Sequence, residues 1–141
     1  MPVTASSSEY LDRASAVDEP IALARASVFM LSLPQIRVFR SAYGRSSGRK
    51  RLIVIRLEDA DGFTGWGEAP IAERPLYGAD TAESTWWALT GLLLPPLLLG
   101  ATFAGPARLA ATRADLLGQN YAKNAVETAA WAIASDRKSV V

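Results

Sequence analysis

The chain predicts an α+β fold in which three antiparallel strands come first and three helices then pack on one face of them. Three observations carry this expectation. The turn dipeptide Asp61-Gly62 lies between two strand-like runs, Arg51–Leu57 and Phe63–Glu68, and glycine accepts the positive φ that tight hairpin turns demand. From Asp80 onward the hydrophobic pattern changes from a strand period to a helical one. Pro95-Pro96, Gly105-Pro106 and Gly118 then divide the second half into three helical segments.

Residues 1–20 are rich in Ser and Ala and carry Glu9, Asp12, Asp18 and Glu19. They lack the basic start and apolar core of a secretory signal, and read as a poorly ordered extension closed by Pro20. Ile21 to Leu33 would suit a short helix or a strand on composition alone. Its β-branched and aromatic centre, Val28-Phe29-Met30-Leu31, and the stop at Pro34 favour a strand. Pro34 to Lys50 is then a long connection, and Arg45, Arg49, Lys50 and Arg51 make its end basic. That cluster reads either as a phosphate or carboxylate contact or, more economically, as a solvated loop.

The hairpin strands complete the minimum three-stranded sheet that stands with one buried face. The return strand carries Gly65-Trp66-Gly67, whose glycines let something bulky approach the backbone or let the strand bend. A dinucleotide fingerprint needs a third glycine and a helix directly after it; here Pro70 and an irregular loop follow. The expectation for Trp66 is a side chain packed under the helices rather than one touching a ligand. Glu68 stands without a second carboxylate and so makes no acid–base pair.

Asp80-Thr81-Ala82-Glu83 resembles a capping box, with Asp80 as the cap. The first helix should run from Thr81 to about Leu94, where Pro95-Pro96 ends it. Pro106 suits the first position of a second helix reaching about Leu117. Asn120 should cap the third helix, Tyr121 to about Ser135. Its residues Ala125, Ala129 and Ala132, with Val126, Ala130 and Ile133, form a small-residue face suited to close packing. Lys123 and Glu127, four apart, are placed to pair.

Composition excludes several chemistries. The 141 residues contain no Cys and no His and have a net charge of +1. This rules out a Ser-His-Asp triad, His-ligated zinc, thiolate metal sites and disulfides within the chain. Near-neutral charge gives no reason to expect nucleic acid or anionic membranes as partners. The uncharged stretch between Glu83 and Arg108 is long enough to cross a bilayer. Its double proline and its glycines favour a core helix followed by a buried turn.

The GWGE segment 65–68, the Pro75-Leu76-Tyr77 that follows it, and the upstream Leu33-Pro34 and Phe39-Arg40-Ser41-Ala42-Tyr43-Gly44 together resemble the N-terminal capping domain of the enolase superfamily. They are most similar to the o-succinylbenzoate synthase / N-acylamino acid racemase group of its muconate-cycloisomerase branch. Asn120–Glu127 and Trp131 also match, although Ala132 stands where the family usually has Asp. The resemblance runs from about Ile21 to about Ser135, so the domain is expected at residues 21–135.

In that family the cap precedes a (β/α) barrel, which this chain lacks. The resemblance implies an enzyme that removes a proton α to a carboxylate, with a lysine base and Mg2+ both held by the barrel. It assigns no catalytic residue and no metal ligand to this chain, which alone would be inactive. It places two loops over the barrel mouth, with Phe39, Ser41, Ala72 and Tyr77 on substrate-facing positions. Ala72 replaces a larger Met of racemase-type members and would widen the pocket. The implied partners are a small carboxylate substrate, the protein's own barrel and further copies in a homo-oligomer. The implied location is the cytoplasm.

Residues 136–141, DRKSVV, fit nothing upstream. Back-translated as GAT CGG AAG AGC GTC GTG before the stop TAG, they spell the start of a widely used sequencing adapter. The expectation is a non-native tail.

Overall fold

The structure is a computed structural model and describes residues 20–38, 40–42, 44–45, 48–72, 75 and 78–139. The expected N-terminal extension before Pro20 lies outside the described residues. The strands are β1 (Ile21–Pro34), β2 (Arg40–Ser41), β3 (Gly44–Arg45), β4 (Arg49–Asp59), β5 (Thr64–Ala69) and β6 (Thr102–Phe103). The helices are α1 (Ala82–Trp87), α2 (Leu94–Leu97), α3 (Pro106–Ala111) and α4 (Asn120–Ser139), with a π-helical stretch Ala88–Leu93 joining α1 to α2.

β1, β4 and β5 form the expected antiparallel meander, and the sheet order is β5-β4-β1-β6. The fourth strand is an addition: β6 pairs Phe103 with Ile21 and Thr102 with Ala22, within what sequence reads as the turn between two helices. Across the sheet Ile53 lies between Met30 and Ala69, Ile55 between Val28 and Gly67, and Leu57 between Ala26 and Gly65. Since successive side chains of a strand point to opposite faces, these residues share one face. Ile53, Ile55 and Leu57 are wholly buried there with Ala125, Ala129, Ala130 and Ile133 of α4.

The two glycines of β5 explain how closely α4 lies. A Cβ on Gly65 would come within 1.9 Å of the Ala129 carbonyl oxygen, and one on Gly67 within 1.9 Å of that of Ala125. The bulky thing that approaches the backbone is a helix. The same alternation overturns the expectation for Trp66: with the glycines facing α4, Trp66 must face away. It is 52% exposed and stacks on Phe29 across the outer face, with ring centroids 6.2 Å apart.

The hairpin between β4 and β5 turns through Ala60, Asp61 and Gly62, with Gly62 at φ 88°. Asp59, buried, organises it: one carboxylate oxygen accepts from the Asp61 N–H at 3.0 Å and the Phe63 N–H at 2.9 Å. Its other oxygen accepts from Arg137 Nε at 2.9 Å. α4 thus extends past Ser135, where sequence ends it.

Three further boundaries differ from expectation. The cap of α1 is Thr81, not Asp80: its hydroxyl accepts from the Ser84 N–H at 3.2 Å, while Ser84 Oγ accepts from the Thr81 N–H at 2.8 Å. The helical path does not stop at Pro95-Pro96. The π-helical stretch hands over to α2, in which these prolines occupy the first turn, where no intrahelical N–H is required of them. α3 ends at Ala111 rather than about Leu117. Gln119, at φ 54°, leads into α4, which begins at Asn120 itself; Lys123 N–H donates to the Gln119 carbonyl at 3.0 Å. Lys123 also turns its ammonium to the Leu116 carbonyl instead of to Glu127. No helix among the described residues is long and apolar enough to cross a membrane.

Candidate functional site

Two loops leave the same end of the meander. The first joins β1 to β4, and its base is tied firmly. Gln35 N–H donates to the Gly48 carbonyl at 2.8 Å. Arg49 grips β1, donating from Nε to Ser32 Oγ at 2.9 Å and from Nη2 to the Ser32 carbonyl at 2.6 Å. Within this loop β2 and β3 form a separate two-stranded hairpin, pairing Ser41 with Gly44 and Arg40 with Arg45.

The second loop leaves β5 after Ala69. Ala69 lies opposite Ile53, four residues into β4 from Arg49, so the two loops depart about 13 Å apart along the strand direction. Ile71 is buried and anchors the start of this loop; Ala72, next to it, is half-buried. The loop closes at the Thr81 cap of α1.

An ion pair ties α1 to the sheet beside the second loop. Arg51 Nη2 lies 2.8 Å from Glu83 Oε1. A backbone N–H at the start of α1 and then the Arg51 guanidinium hold the Glu83 carboxyl below its ordinary value of 4.5. Glu83 also borders an open cavity of about 300 Å3 whose other walls are Met30 and Trp86. Met30 is on the inner face yet 40% exposed, because α4 lies over β5 and β4 and leaves β1 thinly covered.

Of the four substrate-facing positions expected from sequence, Phe39 and Tyr77 lie outside the described residues. Ser41 falls on the β2–β3 hairpin, and Ala72 on the second loop behind Ile71. Sequence reasoning missed the Met30–Glu83–Trp86 cavity. Its residues are far apart in the chain, and only the packing of α1 against β4, the neighbour of β1, brings them together. Among the described residues no three Asp or Glu side chains gather in a way that would hold a metal ion. The acids present are dispersed or engaged in ion pairs, so they do not fit Mg2+.

No protein-family model matches the chain. It is 32% identical over 102 residues to an o-succinylbenzoate synthase from Geobacillus stearothermophilus, covering 72% of this chain and 27% of that protein. It is 28% identical over 128 residues to a muconate cycloisomerase from Acinetobacter lwoffii, covering 86% and 31%. Among solved structures, an enolase-superfamily protein from Enterococcus faecalis V583 superposes with a TM-score of 0.74 at 25% identity, covering 85% of this chain and 32% of that one. A mandelate racemase/muconate lactonizing protein from Roseovarius nubinhibens, complexed with magnesium, gives 0.71 at 29% identity, covering 84% and 31%. The L-Ala-D/L-Glu epimerase of Bacillus subtilis gives 0.66 at 28% identity, covering 77% and 30%.

The four-stranded sheet with its helices is thus the α+β domain that opens enolase-type enzymes. The chain belongs to the enolase superfamily, with relatives in its mandelate racemase/muconate lactonizing branch. It spans about a third or less of the length of these relatives.

Proposed function

We propose that the chain is the substrate-capping domain of an enzyme that abstracts a proton α to a carboxylate, of the o-succinylbenzoate synthase / N-acylamino acid racemase type. The observation that carries this reading is the match to the synthase over 72% of the chain, on a fold that sends two loops from one end of one sheet. In this reading the rest of the enzyme is a (β/α) barrel bearing the lysine base. Mg2+ bound by that barrel would stabilise the enediolate formed when the proton leaves.

The residues of this chain would do other work. The β1–β4 loop, with Phe39 and Ser41, and the second loop, with Ala72 and Tyr77, would close over the bound carboxylate and exclude water. Ala72 sits directly after the buried Ile71, so its position is held by the core while its small side chain leaves room for a bulky acyl group. We further place the enzyme in the cytoplasm as a homo-oligomer.

The test begins with genomic DNA read across codon 136. This reading expects the frame to continue into a barrel, with residues 136–141 replaced by native sequence. α4 carries Arg137 into ion pairs with Asp59 and Asp61, which runs against a non-native tail at that position; the genomic read decides it. The full-length enzyme should then exchange the α-proton of an N-succinylamino acid for deuterium in the presence of Mg2+. A genomic stop at this point would sink the enzyme reading in favour of a ligand-binding module. The match to the L-Ala-D/L-Glu epimerase supports a second reading, dipeptide epimerisation; exchange on dipeptides but not on N-acylamino acids would select it.

A further inference from the structure

After α3 ends at Ala111 the chain runs through close turns to α4. Arg113 lies in these turns. Its N–H donates to the Ala110 carbonyl at 3.3 Å, and its carbonyl accepts from the Leu116 N–H at 3.2 Å. The Leu116 carbonyl in turn accepts from the Lys123 ammonium. Leu116 thereby ties together two cations that border one cavity of about 100 Å3 between α3 and α4. The buried Leu93, Leu109 and Val126 give this cavity apolar walls, and the exposed Glu127 is its one acid. Among the described residues neither Arg113 nor Lys123 makes an ion pair. The Nε–H of Arg113 is buried and meets no acceptor there. An orphaned buried donor marks a place where a bound water or ion belongs.

We infer that Arg113 and Lys123 form a site for one small monovalent anion, which fastens the turns after α3 to α4. Charge decides between water and an anion. A water molecule would accept from the Arg113 Nε–H yet leave two cations facing one acid, whereas a single negative charge makes the lining neutral. The apolar walls sharpen the difference, because a charge held away from water is costly until an opposite charge meets it. The donors suit the same ligand. Arg113 offers its Nε–H, and the Lys123 ammonium has N–H groups beyond the one spent on Leu116. Size sets the upper limit. The cavity holds a few water-sized bodies, so chloride or nitrate enters and a nucleotide or lipid headgroup does not. A doubly charged anion would overshoot the single net positive charge of the lining. Because such an ion binds the folded chain alone, it stabilises the fold.

The test is an NMR titration of the full chain in which sodium nitrate replaces sodium sulfate at constant ionic strength. It follows the side-chain Nε–H resonance of Arg113 and the amides of Ala114 and Leu116. Saturable shifts with half-saturation at millimolar nitrate are expected, while the Nε–H resonances of Arg25 and Arg56 on the sheet stay in place. Arg113→Gln should weaken the apparent Kd by about tenfold or more, the scale of a charge-assisted hydrogen bond. Lys123→Gln should weaken it by about threefold. Arg108→Gln removes the same charge from α3 outside the cavity and should bind within about twofold of the parent. Amide dispersion reports whether each variant is folded, and the Arg113 Nε–H shift in the parent stands without either. Shifts that do not saturate, an equal loss in Arg108→Gln, or unaltered affinity in both cavity variants would each overturn the inference. So would a long-lived water, seen by a nuclear Overhauser effect at the Arg113 Nε–H, that nitrate does not displace. Tighter binding of sulfate than of nitrate would overturn the monovalent assignment.

Discussion

At the scale of single residues, Gly65 and Gly67 set the distance between sheet and helix. Gly67→Ala would drive a methyl into the Ala125 carbonyl, contact that only a backbone shift relieves. Such overpacking costs about 1–3 kcal/mol, sometimes more, and the urea midpoint should fall accordingly, whereas Gly62→Asn, at an open positive-φ turn, should change it little. Glu83 supplies the pH-dependent test. Its folded pKa is lowered, so its contribution is present above the unfolded pKa and is lost as pH falls through the folded one. Glu83→Gln should therefore be slightly less stable than the parent at neutral pH and equal to it at about pH 2, once the carboxyl is protonated in both states. The effect should be small, since the pair with Arg51 is exposed to solvent. The glycines were visible in the sequence as a need for close approach, but not what approached. The partner lies some sixty residues further on, and strand alternation decides which of Gly65, Trp66 and Gly67 meets it.

At the scale of elements, the hairpin and the meander were legible because Asp61-Gly62 and the alternating runs around it are local signals. The buried Asp59 that holds the hairpin was not, since a carboxylate two residues before a turn looks like any exposed acid until its hydrogen bonds are seen. The start of α1 shows the same limit. Asp80 and Thr81 both suit an N-cap by chemistry, and the geometry selects Thr81. Thr81→Ala should cost about 1 kcal/mol, and Asp80→Ala much less; the reverse order in chemical denaturation would restore the reading made from sequence. β6 escaped notice because two residues carry no period. The passage through Pro95-Pro96 escaped it because a π-helical turn changes which N–H groups the next turn requires. Of the four expected site positions, the structure describes only Ser41, on the β2–β3 hairpin, and Ala72, after Ile71.

At the scale of the whole molecule, the described residues cover the sheet on one face and leave apolar side chains exposed on the other. Phe29, Leu31, Leu33 and Trp66 are exposed, and the first two and Trp66 alternate onto the same outer surface. Contiguous apolar surface of this kind drives association. The apparent mass in light scattering should rise with concentration, and Phe29→Thr with Trp66→Thr should lower it towards the monomer; a monomer at every concentration in the parent would contradict this. The arrangement of α4 over β5 also has a consequence for how the chain is made. The ribosome releases Ile53, Ile55 and Leu57 well before it releases Ala125, Ala129 and Ile133, which bury them. At ~5–20 residues per second, the apolar stripe of the sheet waits roughly 3–15 seconds for its cover. During synthesis this domain is therefore a natural client for a chaperone that shields nascent strands, and slowing translation between Ala69 and Asn120 should lower its soluble yield.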